Sequence, residues 1–379
     1  MIEAEQYDVA IIGGGLAGLS LSIQCAAAGY CVVLFEKENY PFHKVCGEYI
    51  SMESWKHLQQ LGLPLQEWNL PIIKKLTLSD IKGRQYHFDL PLGGFGISRY
   101  TLDDALYKIA LEKGVTVLTE TKVNDIVFQD DTFAVHSTKG LFNAKIAVGS
   151  FGKRSNLDVK WNRLFTKQKP DKLNNYIGVK YHIRYANDID TIALHNFNNG
   201  YCGMSKIEDG KVCLCYLTTA DNLKSSSNSI EQMEKAILFQ NPQLKKIFSE
   251  AEFLYAAPLT ISQVSFKSKT QIENHVLLLG DAAGMITPLC GNGMSMALYG
   301  SKIAFDKIDS FLKGAFGRNE MEQSFIKIWH KQFKFRLQIG RIVQRLFGND
   351  RSTALFLKLM NAIPALAKAV IKSTHGKPF

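Results

Sequence analysis

Tyr7 to Ile12 is a short run dominated by apolar residues, and it breaks at the glycine-rich stretch Gly13 to Gly18 (GGGLAG). Leu19 to Ala28 then mixes small and apolar residues in the manner of a close-packed helix, and a second apolar run, Cys31 to Phe35, follows. Apolar runs of this length bounded by turn signals predict buried strands, so the chain opens as strand, tight turn, helix, strand. Helical periodicity returns over Ser51 to Leu61 and Leu102 to Lys113. Alternation predicts β structure through Lys74 to Phe88 with a turn at Gly83, then short strands over 115–118, 123–128, 133–137 and 144–148, the last ending at Gly149.

From Asn175 to Thr219 the alternation is nearly continuous, with turns at Asn198-Asn199-Gly200 and Glu208-Asp209-Gly210, which predicts an antiparallel sheet. Helices are predicted from Ile230 to Phe239 and after Pro242, strands at Leu259–Phe266 and Val276–Leu279, and long helices over 294–313 and 319–347. The fold class is therefore α/β. A Rossmann-like nucleotide-binding domain is expected from 1–75, 99–160 and 268–320, an antiparallel β-sheet substrate domain from 76–98 and 161–267, and a helical C-terminal region from 321–379.

Composition narrows this picture without changing it. The 379 residues are 46% apolar and 21% charged, ordinary globular values that exclude a polytopic membrane protein and a disordered chain. Seven cysteines without a CxxC pair give no disulfide framework and no metal site, which fits a reducing cytoplasm. Met1 to Val9 lacks the apolar stretch of a secretory signal, so a cytoplasmic protein is expected, soluble or peripheral on the inner membrane surface. Charge is uneven: of a net +10, residues 331–379 carry ten basic residues against Asp350 alone. These alternate with Phe333, Leu337, Phe347 and Leu359, a pattern that suits either a tail packed on the body with solvated lysines or a peripheral contact with anionic membrane. No nucleic-acid module accompanies the charge, and nothing fixes an oligomeric state.

The chemistry sits in the glycine motifs. Gly13-x-Gly15-x-x-Gly18 between a strand and a helix is a dinucleotide fingerprint: Gly13 for the turn, Gly15 for backbone approach to a pyrophosphate, Gly18 for close packing, with Leu16 and Ala17 in the helix start that faces the anion. Glu36 closes the second strand where a carboxylate accepts ribose hydroxyls, with Lys37 beside it. Far along the chain, Gly280-Asp281-Ala-Ala-Gly284 ends a buried strand, and Pro288, Gly291, Gly293 and Met294 precede a helix. Asp281 suits a ribityl hydroxyl or a helix cap, and the amides of 291–294 suit the pyrimidine edge of a flavin. His182 and His195 read as isolated, satisfied strand histidines.

With both motifs in this order, the chain resembles the flavoprotein superfamily of p-hydroxybenzoate hydroxylase, the geranylgeranyl reductases and the flavin-dependent halogenases. The resemblance runs to about residue 345. It implies bound FAD, held by the residues above together with Arg99 in SRYTLDDAL and Gly149 and Gly152 of GSFGKRS, where Phe151 replaces the family's usual aspartate. Pro41-Phe-His-Lys44-Val-Cys46-Gly47-Glu48 and GDAAG resemble the geranylgeranyl reductase branch. They imply Cys46 near the flavin as a proton donor or as packing, and Lys44, Gly47 and Glu48 as flavin or phosphate contacts or as a loop ion pair. Of that branch's YxWxFP only Tyr201 remains, as a catalytic candidate in a pocket expected to include Cys202 and Phe197. The halogenase WxWxIP is absent.

The resemblance implies reduction of a carbon–carbon double bond in a lipophilic or aromatic small molecule by hydride from flavin N5. Alternatives are a monooxygenase hydroxylating a phenolic or polyketide-type substrate and a non-catalytic flavin-binding protein. With a single GxGxxG, NADPH or NADH is expected only as a transient reductant, or another protein reduces the flavin.

Overall fold

The computed structural model describes residues 5–167, 174–186 and 188–379, so the start of the Met1–Val9 segment lies outside the described residues. The opening unit is β1 (Glu5–Ile12), α1 (Leu16–Ala27) and β2 (Val32–Phe35). Next come β3 (Tyr49–Ser51), α2 (Trp55–Gln60), β4 (Ile72–Ser79), β5 (Gln85–Gly96), α3 (Arg99–Glu112), β6 (Thr116–Leu118), β7 (Val123–Gln129), β8 (Thr132–Ser137), β9 (Gly140–Gly149) and α4 (Asn156–Lys160). The next segment holds β10 (Tyr176–Arg184), β11 (Thr191–Phe197), β12 (Gly200–Lys206), β13 (Val212–Thr219), α5 (Ala220–Ser225), α6 (Ile230–Ala236), α7 (Pro242–Glu250), β14 (Glu252–Phe253) and β15 (Leu259–Val264). The chain ends with β16 (Ile272–Glu273), β17 (Val276–Leu278), α8 (Gly293–Leu312), α9 (Arg318–Leu346), α10 (Asp350–Ala362) and α11 (Pro364–Thr374).

Two sheets divide these strands. The first runs β16-β17-β9-β1-β2-β6, with β17, β9, β1, β2 and β6 parallel and the β7–β8 hairpin joined through β8. Val9, Ala10, Ile11, Val33 and Leu34 are fully enclosed, as the uninterrupted apolar runs require of parallel strands covered on both faces. The second sheet runs β14-β10-β13-β12-β11-β4-β5-β3. It takes in β3 and all of β4 from Ile72, so part of the segment assigned to the nucleotide domain by sequence belongs to the other layer. It is also not purely antiparallel: β11 pairs with β4 in parallel, His195 opposite Ser79. No hairpin constrains that pair, because the chain between them builds much of the first sheet.

Period-two alternation splits the second sheet's residues between two cores. Phe197, Cys202 and Met204 pack with Met233, Leu238 and Leu244 of the α6–α7 layer. Leu78, Leu194 and Tyr201 face Val343, Phe347 and Leu357 of the C-terminal helices. The basic tail therefore folds back on the body. Phe333 and Leu337 are buried, Arg336 bonds Glu53 at 3.4 Å, and the Arg341 Nε donates to the Phe266 carbonyl at 2.9 Å.

Candidate functional site

Parallel pairing lays the ends of four strands side by side: Ile12 opposite Phe35 and Gly149, and Gly149 opposite Leu278. Gly13, Glu36, Ser150 and Gly280 thus emerge on one edge, in the crevice where open α/β sheets bind ligands. At Gly13, φ is +109° and a β-carbon would stand 2.5 Å from the Ser150 carbonyl oxygen, so only glycine fits the turn. The Glu36 carboxylate accepts the backbone N–H of Gly14 at 2.9 Å and of Glu38 at 3.1 Å, which pins it against the loop. Lys37 points to solvent and pairs with Glu38 at 3.5 Å.

Gly15 opens α1 with ordinary backbone angles and no side-chain cap, and no acidic residue sits in the first turn. Leu16 and Ala17 are buried behind it. A β-carbon on Gly15 would meet nothing nearer than Arg99 Nη2 at 3.8 Å and Lys44 Nζ at 3.9 Å. Both cations share one partner, the buried Asp103: Arg99 donates to it twice at 2.7 Å and Lys44 once at 3.0 Å. Burial opposes ionisation of Asp103, yet Arg99 and Lys44 hold its carboxyl below the usual range. Two cations against one carboxylate, beside an uncapped helix N-terminus, leave local positive charge that suits a diphosphate. Asp103 was missed from sequence, although Arg99-x-x-x-Asp103 on a predicted helix is a readable ion-pair spacing.

Behind this nook, Glu48 ties the Cys46 loop to the second sheet. It is fully buried, with φ of 54°, and its carboxylate takes Lys180 Nζ, His182 Nε2 at 2.6 Å and the Arg99 backbone N–H at 2.8 Å. Burial works to raise its pKa, but the His182 hydrogen bond and the Lys180 charge outweigh it and the carboxyl lies below its ordinary value. The sequence offered Glu48 an ion pair within its loop; the partner it has, Lys180, is 132 residues away. His182 is not isolated, as its strand position suggested. Its Nδ1 lies 3.3 Å from the Tyr255 hydroxyl, which is 3.1 Å from His43 Nε2. The missed signal was Lys180-x-His182, two polar residues on one buried face of a strand. Glu48, His182 and Cys213 also bring ligand-type atoms within 4.8 Å of one another, a grouping invisible in spacing, but the Lys180 ammonium already meets Glu48 there. His195 bonds Ser79 at 3.0 Å, and burial lowers its pKa to about 4, so it is neutral.

Cys46 lies on the crevice side of this knot, its Sγ 3.6 Å from Met294 Sδ. Burial raises the thiol pKa against the pull of Arg99, so the sulfur keeps its proton at neutral pH. Gly47 borders open space. Gly291 has φ of +62° and packs toward the Tyr49 ring, while Asn292 precedes α8 without a side-chain cap. Asp281 does not cap a helix, because α8 starts twelve residues later. Among the described residues no group donates a hydrogen bond to its carboxylate. Burial raises its pKa against Lys269, Arg99 and Lys153, and it borders a crevice shared with Gly280, Gly284 and Gly293. Gly149 is buried at its strand end, Gly152 turns with φ of +81°, and Pro288 is exposed. The uncapped α1 nook and the unpartnered Asp281 carboxylate are the donor and acceptor groups that the diphosphate and ribityl parts of FAD require.

A cavity of about 620 Å³, open mouth included, lies between β4, β5 and β11 and helices α9 to α11. Leu78, Ile192 and Leu194 form its floor, Phe356 and Met360 its roof, and Tyr49, Cys290 and Gly291 its end toward α8. Tyr201, Cys202 and Phe197, expected in a substrate pocket, are not among its lining residues. Phe197 and Cys202 point to the opposite face of the sheet, and Tyr201 lies buried beneath the lining.

Residues 8–43 match the family profile described as an FAD binding domain. A digeranylgeranylglycerophospholipid reductase from Methanosarcina acetivorans is 23% identical over 90% of this chain and 85% of its own. Over residues 8–43 the chain is similar to FAD-binding domains, and over most of its length it is similar to FAD-dependent oxidoreductases. The chain is also 23% identical, over 79% of its length, to conditioned medium factor receptor 1 of Dictyostelium discoideum, of which it spans only 62%. Among solved structures, the flavin-dependent brominase Bmp2 superposes with a TM-score of 0.81 at 18% identity, covering 97% of this chain and 93% of that one. At that identity the likeness concerns the fold. No single helix among the described residues is long and apolar enough to cross a membrane.

Proposed function

We propose that this enzyme reduces a carbon–carbon double bond in a lipophilic molecule, with FAD as cofactor and NADPH or NADH as a visiting reductant. The observation that carries the reading is the cavity wall. Among its described lining residues there is no carboxylate, lysine or arginine, and burial lowers the pKa of His375, the lining's one imidazole, toward the neutral form. Such a wall suits an unfunctionalised hydrocarbon and offers no cation to hold a phenolate, which disfavours phenol hydroxylation.

Gly15, Arg99 and Lys44 would hold the diphosphate, Asp281 the ribityl chain, and the amides of 291–294 the pyrimidine edge. When bound and reduced, FAD supplies the hydride. The chain's own residues do the rest. Leu194, Ile192 and Met360 orient the alkene and exclude water, and the Cys46 thiol, beside Met294 and outside that lining, would hold the proton for the second alkene carbon.

Photoreduced protein given geranylgeraniol, then a simple phenol, under isotopically labelled dioxygen separates the reactions. An unlabelled product with one double bond reduced is expected; labelled hydroxylated phenol overturns the reading. Cys46→Ala is expected to retain FAD and to lower turnover by at least tenfold, with a weaker solvent isotope effect. Unchanged turnover returns Cys46 to packing.

A further inference from the structure

The outer surface of the C-terminal hairpin differs from the rest of the tail. Helices α10 and α11 meet at 110°, and the corner between them is apolar and exposed. Leu355, Leu359 and Ile363, spaced by four residues along one stripe, are 61%, 43% and 48% exposed. Ala362, Pro364 and Ala365 continue the same surface around the bend. Flanking it, Arg351, Lys358, Lys368, Lys372 and Lys377 are all exposed, and Asp350 is the single acidic residue from 350 to 379. By contrast, the basic α9 spends Arg336 and Arg341 on internal bonds.

We infer that the α10–α11 corner docks on the surface of an anionic lipid bilayer, with Leu355, Leu359 and Ile363 entering the acyl boundary and the flanking lysines at headgroup level. Charge complementarity selects this occupant. A positively charged rim with no acidic residue after Asp350 matches a uniformly negative plane, and the outermost atoms are aliphatic. An acidic protein would meet the charges but leave the apolar corner unused. The same two helices roof the cavity, Phe356 and Met360 facing inward while Leu355 and Leu359 face out. A lipid drawn from the bilayer has only this layer to pass. That last link rests on the cavity being the substrate site; the docking itself does not.

Co-sedimentation of the full chain with phosphatidylcholine vesicles, with and without 30% phosphatidylglycerol, tests the docking, and needs no flavin chemistry. Binding is expected only with phosphatidylglycerol and is expected to fall in high salt. Neutralising one lysine, as in Lys358→Gln, is expected to weaken it about fivefold, the equivalent of ~1 kcal/mol per basic residue. Leu355→Ser/Leu359→Ser, at sites already in water, is expected to weaken it at least tenfold with an unchanged melting temperature. Val159→Ser, also exposed but on α4, serves as a control and is expected to bind as the unmodified chain does. Equal binding by the double variant, no vesicle binding at all, or binding of an acidic carrier protein in its place overturns the proposal. If vesicles bind and geranylgeraniol is not reduced, the docking stands and the reaction assignment fails.

Discussion

Gly15→Val is expected to give a folded protein that retains no FAD, with affinity reduced at least a hundredfold. The reasoning is local. Gly15 has φ of −85°, open to any residue, and a β-carbon there stands 3.8 Å from its nearest neighbour, so the apo fold accepts the side chain. The space it enters is the one between the α1 N-terminus, Arg99 and Lys44, where a diphosphate would need direct backbone approach. Gly13→Ala is the contrasting substitution: φ of +109° and a 2.5 Å approach to the Ser150 carbonyl place its cost in the fold, before any cofactor is considered. Bound-flavin absorbance and apo melting temperature separate the two. Valine at 15 should lose the first and keep the second, while alanine at 13 should lower both. Stoichiometric flavin in Gly15→Val would remove the diphosphate assignment.

This contrast marks what was legible in the sequence. Gly13, Glu36, Gly149 and Gly280 lie at the ends of apolar runs, and apolar runs of four to six residues predict buried strands directly. Once those strands are parallel, their ends must converge, so the crevice follows from local pattern alone. The Glu48 knot does not. Its partners Lys180 and His182 sit on β10, several strands away in the sheet that β3 enters just after Glu48, and pairing across 132 residues depends on how the loop before β3 folds over that sheet. The burial of Tyr201 was hidden for a related reason. Its place in the motif suggested chemistry, but a strand residue's neighbours depend on what covers its face, and here α9 and α10 cover it with Val343 and Leu357. The parallel β4–β11 pair was equally hidden, because no turn connects the two strands. The charge of the tail was visible, yet only packing shows which cations turn inward.

Lys180→Met tests that knot, and it is the larger effect on stability. The substitution leaves the Glu48 carboxylate fully buried with His182 and one backbone N–H, so about 3–5 kcal/mol of destabilisation is expected. For a chain of this length that is a fall of roughly 4–6 °C in melting temperature. The pH dependence has a definite sign. Glu48 titrates below its ordinary value when folded, so its contribution is present above the ordinary carboxylate range and is lost as pH falls through the depressed folded value. Once pH has fallen through that depressed folded value, the protonated acid no longer needs the ammonium, and Lys180 in the unmodified chain becomes an unpaired buried charge. The gap between the two proteins is therefore expected to close on acidification, although Lys211, His43 and Arg99 also act on this cluster. Denaturant melts at pH 7 and pH 4 measure it. A gap that is constant with pH would mean that Lys180 acts through packing of its methylenes and not through Glu48. Lys180→Met/Glu48→Gln should recover part of the loss at pH 7, because the uncompensated charge goes with the carboxylate.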